Sequence, residues 1–472
     1  MTQPEADHFE ADCLEADYLV VGAGAMGMAF TDVLMTETNA TVIMVDRNHK
    51  PGGHWTTAYP FVRLHQPSAF YGVNSKPLGE NKIDQVGFNK GLYELASAQE
   101  VVSYFEQVMR EQFLPSGRVR YFPMSDYEGD GRFVSSISGK ATTVKAGKIV
   151  DSTYMNVTVP SMRPPPFPVA DSMTCLPLND LVKVTTPKEG YVVIGAGKTG
   201  MDACLFLLAN GASPDDIRWI MPRDSWILNR ANLQPELITE ELASPRTGER
   251  NQWDAKDMTD LFDILESSGQ LLRIDPDIIP TMYRCATVTM AEIEALRSIK
   301  NVVRMGHVTE ITNSEIKLEE GSIPTTANVL HVDCTADALA TRPSVPVFSG
   351  NQLTLQTVRT CQQVFSAAFI AFVEATIEGE DEKNRLCTPV PHPDSDIDWL
   401  RTTLGTMQNG GTWGSVPKLQ QWLMSSRLDP FTQPPKEGES TPQFAENVGD
   451  MLKGAMRVNE LYTQWLGEQE QA

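Results

Sequence analysis

One glycine pattern, present twice, constrains this chain more than any other feature. The first copy reads Tyr18-Leu-Val-Val-Gly22-Ala-Gly24-Ala-Met26-Gly27, and the second Tyr191-Val-Val-Ile-Gly195-Ala-Gly197-Lys198-Thr199-Gly200. Each follows an apolar run of strand character and opens a helical pattern. In such a βα unit the first glycine permits the tight turn, the second lets a pyrophosphate approach the backbone, and the third lets helix pack on strand. The helix N-terminus then offers unpaired N–H groups to phosphate. Two copies imply two dinucleotides in one molecule, the arrangement of enzymes that pass electrons from a nicotinamide to a flavin.

The two units differ one strand later. Asp46 ends the strand after the first loop, about 20 residues on, where a carboxylate accepts from ribose hydroxyls. The first site is therefore expected to hold FAD, with Met26 and Arg47 beside the glycines and the acid. The matching place in the second unit is Pro222-Arg223-Asp224. An arginine holds a 2′-phosphate that an acid would repel, so Arg223 favours NADPH over NADH, with Asp224 as the counter-signal. Lys198 and Thr199 complete the second loop. A Walker A reading of Gly197-Lys198-Thr199 fails, because the glycine that motif needs five places earlier is Val192.

At 472 residues the chain exceeds one ordinary core, so two or three domains are expected. The order of elements predicts an α/β protein with two doubly wound Rossmann-type domains, the NADPH domain inserted in the FAD domain. The expected boundaries are 1–165 and 328–379 for the FAD domain, 166–327 for the NAD(P)H domain and 380–472 for a mostly helical extension. Ser97 and Glu100 predict a capping box and a helix to Phe113. The proline-rich stretch 160–168 predicts a domain crossover. Residues 232–300 read as mostly helical, and a helix is expected over 355–377 with Gln356 at its start, near the flavin.

A formal net charge of −22 disfavours nucleic acid and anionic membranes as partners. The absence of a long apolar run predicts no membrane span, and the acidic N-terminus lacks signal-peptide character, so a cytoplasmic location is expected. The seven cysteines are scattered singly. A disulfide framework and a close-spaced zinc site are therefore not expected, no metal is expected, and Cys361 reads as a structural thiol.

Between the loops lies Pro51-Gly52-Gly53-His54-Trp55, followed by Tyr59-Pro60, Arg63, Pro67 and Tyr71. With Arg223, Trp226, Arg230 and the late strand Leu330–Ala336, this resembles the flavin-containing monooxygenases and their Baeyer–Villiger relatives, the class B flavoprotein monooxygenases, over roughly 17–375. The resemblance implies hydride transfer from NADPH to FAD, then oxygen transfer from molecular oxygen to a small organic substrate. It places His54, Trp55, Tyr59, Arg63, His65 and Gln66 in a loop walling the flavin, with Gly53 also against the cofactor. His54, Arg63, His65 and Gln66 are the candidate catalytic residues, each with a packing role as the alternative. The family's Phe-x-Gly-x-x-x-His fingerprint is missing from 163–190. Its asparagine after Tyr-Pro has Gln66 as nearest candidate and Asn74 as next. Two other readings stay open: a flavin reductase, dehydrogenase or oxidase without oxygenation, and an FAD- and NADPH-binding redox sensor. For residues after 380, a cap over the site and a homodimer contact are both open. The absent Cys-x-x-Cys excludes the pyridine nucleotide–disulfide reductases.

Overall fold

Strand β1 (Asp12–Val21) carries the apolar run ahead of the first glycine loop, and Leu19 and Val20 on it are fully buried. It pairs in parallel with β2 (Val42–Val45) on one side and β6 (Ala141–Asp151) on the other. The sheet continues through β3 (Val119–Phe122) beyond β2, and through β19 (Gln352–Thr354) and β18 (Phe348–Ser349) beyond β6. Helix α1 (Ala25–Glu37) and the helix Gln363–Thr376 cover one face with an almost wholly apolar contact. The other face meets β4 (Ser125–Gly129) and β5 (Arg132–Ser135), which form an antiparallel meander with β6 and bury Phe133 and Val144 against Leu19, Ile43 and Val45. Ser97 and Glu100 form the expected capping box, and α2 (Ala98–Val108) runs on through a π-helical turn to Phe113. These elements come from a computed structural model that describes residues 12–155, 158–235, 250–336, 342–432 and 442–469.

The second sheet repeats the plan. β7 (Thr174–Pro177), β8 (Gly190–Ile194), β9 (Ile217–Ile220), β13 (Asn301–Val303) and β17 (Val329–Asp333) are all parallel, in the order β13-β9-β8-β17-β7. Helix α3 (Lys198–Ala209) and the helix Met290–Arg297 pack on one face. A meander of β14 (Val308–Ile311), β15 (Glu315–Leu318) and β16 (Gly321–Pro324) packs on the other, with Phe167 between. The whole unit lies in sequence between β6 and β19 of the first sheet, so one Rossmann-type domain is inserted in the other.

Four local expectations change. Val329–Asp333, assigned from sequence to the returning part of the first domain, is the strand between β8 and β7 of the second. A buried parallel strand is apolar on both faces and carries no mark of which sheet it joins. The stretch 232–300 is not mostly helical among its described residues: between helices Met258–Ser267 and Met290–Arg297 it forms β11 (Leu271–Leu272) and β12 (Met282–Val288), which flank β10 (Ser225–Asn229) in a three-stranded sheet. The helix expected from 355 begins at Gln363, after a turn in which Cys361 has φ 56°. Finally, Cys285 and Cys361 form a disulfide, with Cα atoms 6.5 Å apart, while the other five cysteines are free. The two lie 76 residues apart, a pairing that no local spacing reveals.

The C-terminal extension is helical: Glu380–Leu386, Asp396–Gly414, Pro417–Ser425 and Pro442–Gln469. Trp413 and Trp422 pack on Phe369 and Phe372 with ring centroids 4.3 and 5.1 Å apart, completing the core of the first domain. Trp399, Tyr462 and Trp465 join Trp226 and Phe262 in a separate core over the β10–β12 sheet. Among the described residues no helix is long and apolar enough to cross a membrane.

Candidate functional site

At the first loop the chain turns through Gly22 with φ 99°, and α1 starts at once with Gly24 as its N-cap. No side chain caps that N-terminus. A Cβ on Gly27 would lie 2.0 Å from the Gly22 carbonyl oxygen, so only glycine allows this closeness of helix and strand. The Pro51–Trp55 turn lies directly on the loop: Gly52 donates to the Ala23 carbonyl at 2.9 Å, and a Cβ on Gly53 would lie 2.9 Å from Gly24 Cα. Asp46 sits just past β2, buried, accepting from Ala23 N at 2.6 Å and Asn48 N at 2.7 Å. Burial pushes its carboxyl up, against the opposing effect of these bonds. Arg47 beside it is exposed, and Met26 belongs to the α1 core.

The second loop has the same close contact, a Cβ on Gly200 lying 2.1 Å from Gly195 O, but its middle glycine differs. A Cβ on Gly197 would meet nothing within 4 Å. The α3 N-terminus is thus uncapped and open, where that of α1 is roofed by Gly53. Lys198 is ion-paired with Asp202 one turn along α3. The same carboxylate accepts from Tyr59 Oη at 2.5 Å, so the segment after the Gly-Gly-His-Trp turn of the first domain is bonded to helix α3 of the second. Phe61 adds a stacked contact with Phe206 of α3, ring centroids 4.1 Å apart.

His54 is exposed, and Tyr59, His65 and Tyr71 are half-buried. Desolvation lowers the His54 imidazole to about 4. His65 falls to about 3, through burial first and then the nearby Lys198 and Arg230 charges. Both imidazoles are neutral there at neutral pH. Trp55 Nε1 donates to Tyr71 Oη at 2.7 Å, fixing the indole edge-on to that ring.

Other sequence candidates have different surroundings. Arg63 is exposed and donates to Leu95 O at 2.8 Å. Gln66 lines a small separate cavity with Phe70, Gln234, Gln362 and Phe431. Gln356 is tied at both ends of its amide to Val345, well before the helix it was expected to open. Arg230 is buried under His65, donating to its carbonyl at 2.9 Å and pairing with Glu292 at 2.8 Å. Thr199 is half-buried at the α3 start.

Arg223 meets a carboxylate that sequence reasoning missed. Its Nη2 lies 3.0 Å from both oxygens of Asp394, which also pairs with Arg284. Burial works to raise the Asp394 carboxyl, and Arg284 and Arg223 outweigh it, holding the group below its ordinary range. Asp224 is neutralised by Arg304 at 2.7 Å. Asp202 was detectable as the i+4 partner of Lys198 on a helix. Asp394 and Arg284 carry no sequence signal that points to Arg223.

No family model matches the chain. It is 52% identical over 452 residues to the uncharacterized protein Rv2000 of Mycobacterium tuberculosis (strain ATCC 25618 / H37Rv), covering 95% of this chain and 84% of that one. The same figures hold for the uncharacterized protein Mb2023 of Mycobacterium bovis. Among solved structures it is similar to a closed form of cyclohexanone monooxygenase, at 13% identity and a TM-score of 0.48, covering 94% of this chain and 99% of that one. A cyclohexanone monooxygenase from Rhodococcus sp. Phi1 bound to NADP+ matches at 16% identity and a TM-score of 0.47, over 80% of this chain and 89% of that one. A flavin-containing monooxygenase from Stenotrophomonas maltophilia matches at 13% and 0.43, over 79% of this chain and 100% of that one.

Proposed function

The chain belongs to the family of the mycobacterial proteins Rv2000 and Mb2023, and for it we propose an FAD-dependent, NADPH-using oxidoreductase of the flavin monooxygenase type. The observation that carries this reading is the pair of helix N-termini at Gly24 and Gly197 without a side-chain cap, with the Tyr59–Asp202 bond linking the two domains. Such N-termini attract pyrophosphate through free N–H groups and the helix dipole. FAD, when bound at the first, would accept hydride from NADPH held at the second and pass the electrons on to oxygen.

The chain's own residues supply placement and a dry, uncharged wall. The Gly22–Gly27 loop, the Gly52–Gly53 turn and Asp46 would hold FAD, and Gly195–Gly200 with Lys198 would hold NADPH, its 2′-phosphate near Arg223 and Arg284. To take that phosphate, the two arginines would exchange Asp394 for it. Trp55, Tyr71 and the neutral His54 and His65 would border the flavin ring, where low polarity limits access of water. We place the FAD domain in the residues around the first sheet and the NADPH domain in those around the second.

The substrate is a small organic molecule in this reading, and the missing Phe-x-Gly-x-x-x-His fingerprint keeps an oxidase as the second reading. Two measurements test the proposal. The full chain should purify with, or reconstitute, a flavin absorbance band that NADPH bleaches without oxygen; a protein that takes up no flavin overturns the reading. Turnover under labelled oxygen with a panel of cyclic ketones and thioethers should put label in an organic product. Label only in hydrogen peroxide and water assigns the oxidase.

A further inference from the structure

Cys285 and Cys361 join parts of the molecule that lie in different domains. Cys285 is on β12, where pairing with β10 slips between the Trp226–Tyr283 and Leu228–Thr287 partners. Cys361 is in the turn that leads from β19 into the helix Gln363–Thr376 of the first domain. Both residues are left-handed, with φ of 55° and 56°, a conformation that is unfavourable for a residue other than glycine. A strand irregularity and a turn thus hold an unfavourable backbone where one bond links them. Cys285 is buried, Cys361 keeps partial exposure, and His392 Nδ1 lies 3.9 Å from Cys361 Sγ. The next residue, Gln362, lines the cavity of about 20 Å³ that also contains Gln66. Its Oε1 is buried without a hydrogen-bond partner among the described residues.

We propose that Cys285–Cys361 is a reversible disulfide that fixes the inserted domain against the cavity wall at Gln362, and that a dithiol reductant releases it. The reductant's thiolate attacks the more accessible Cys361 sulfur, and Cys285 leaves as a thiolate and takes a proton. The reductant's second thiol then displaces Cys361, which takes the other proton, and the reductant departs as a disulfide. Two electrons and two protons are transferred in all. Once released, both residues leave the left-handed region and Gln362 moves with its turn. This holds whichever cofactors the glycine loops bind.

The test uses the full chain purified without reductant. After alkylation under denaturing conditions and digestion, the peptides containing Cys285 and Cys361 should be recovered joined, separating only after dithiothreitol. Hydrogen exchange at amides 359–362 and 284–287 should speed up by about tenfold on reduction, with β1 unchanged, as expected for local rather than global opening. C361S should exchange at the reduced rate with or without dithiothreitol. Alkylation of both thiols in the unreduced protein overturns the proposal. So does a joined pair whose reduction leaves exchange at both segments unchanged, a result obtained on the natural sequence whether or not C361S folds.

Discussion

Tyr59 donates its phenolic proton to Asp202 across the boundary between the two nucleotide domains, at 2.5 Å. The donor follows the Gly-Gly-His-Trp turn, and the acceptor lies one helical turn past Gly197 and is already paired with Lys198. Tyr59→Phe keeps the ring and removes this half-buried donor from the carboxylate. A bond of this kind to a charged group contributes about 1–2 kcal/mol net. Urea denaturation should show a loss of that size. A variant as stable as the natural protein would show that the bond contributes nothing in solution.

Two glycines of the second loop predict opposite outcomes. Gly197→Ala adds a methyl in open space, so the melting temperature should hold while NADPH binding weakens by on the order of tenfold, about 1.4 kcal/mol. Gly200→Ala puts a Cβ 2.1 Å from a backbone oxygen and should destabilise the fold by about 3 kcal/mol. Calorimetry and titration of both variants separate binding from folding. Equal loss of stability in the two would contradict the open setting of Gly197.

His65 makes stability depend on pH in a defined direction. Its value in the folded protein is about 3, below the ordinary 6.5. As pH falls from about 6.5 toward 3, the unfolded chain binds a proton that the native state refuses, so stability declines across that window. His65→Gln removes this contribution, and its unfolding free energy should fall less steeply over the same range. Parallel pH profiles for the two proteins would rule out a neutral, desolvated His65.

Asp394 competes with any phosphate for Arg223 and Arg284. Asp394→Asn should raise the preference for NADPH over NADH in kcat/KM by about two- to fivefold, the size of a partly exposed ion pair. Arg223→Ala should lower that preference by about tenfold, since it removes a charge-assisted phosphate contact. Steady-state kinetics with both nucleotides checks this. If neither variant alters the preference, the 2′-phosphate does not bind at Arg223.

What could be read from the sequence was local. The glycine turns, the Ser97–Glu100 capping box and the position of Asp46 each depend on residues within a few places of one another, where sterics and hydrogen bonding leave few options. The paired sheets followed because strand and helix alternate. The relationships that make a site from these parts span long separations: Tyr59 to Asp202 is 143 residues, and Arg223 to Asp394 is 171. Neither has a spacing rule. Val329–Asp333 was legible as a strand but not as a member of the second sheet. Gln356 was misplaced because apolar composition over 355–377 resembles a helix, while the break at Cys361 depends on a partner in another domain.

The rings of Trp413 and Trp422 against Phe369 and Phe372 set an order on biosynthesis. Residues of β1, the first glycine loop and α1 are made before the others of this core, but the apolar face they build is only partly covered, by α1 and α2, until Gln363–Thr376 and then Pro417–Ser425 have been made. The inserted domain contains all five strands of its own sheet and can collapse while synthesis continues. The nascent chain therefore carries the part of this apolar face later filled by Gln363–Thr376, Trp413 and Trp422 uncovered until those residues are made, a natural binding surface for a holdase chaperone. The domain that emerges first is the last to close.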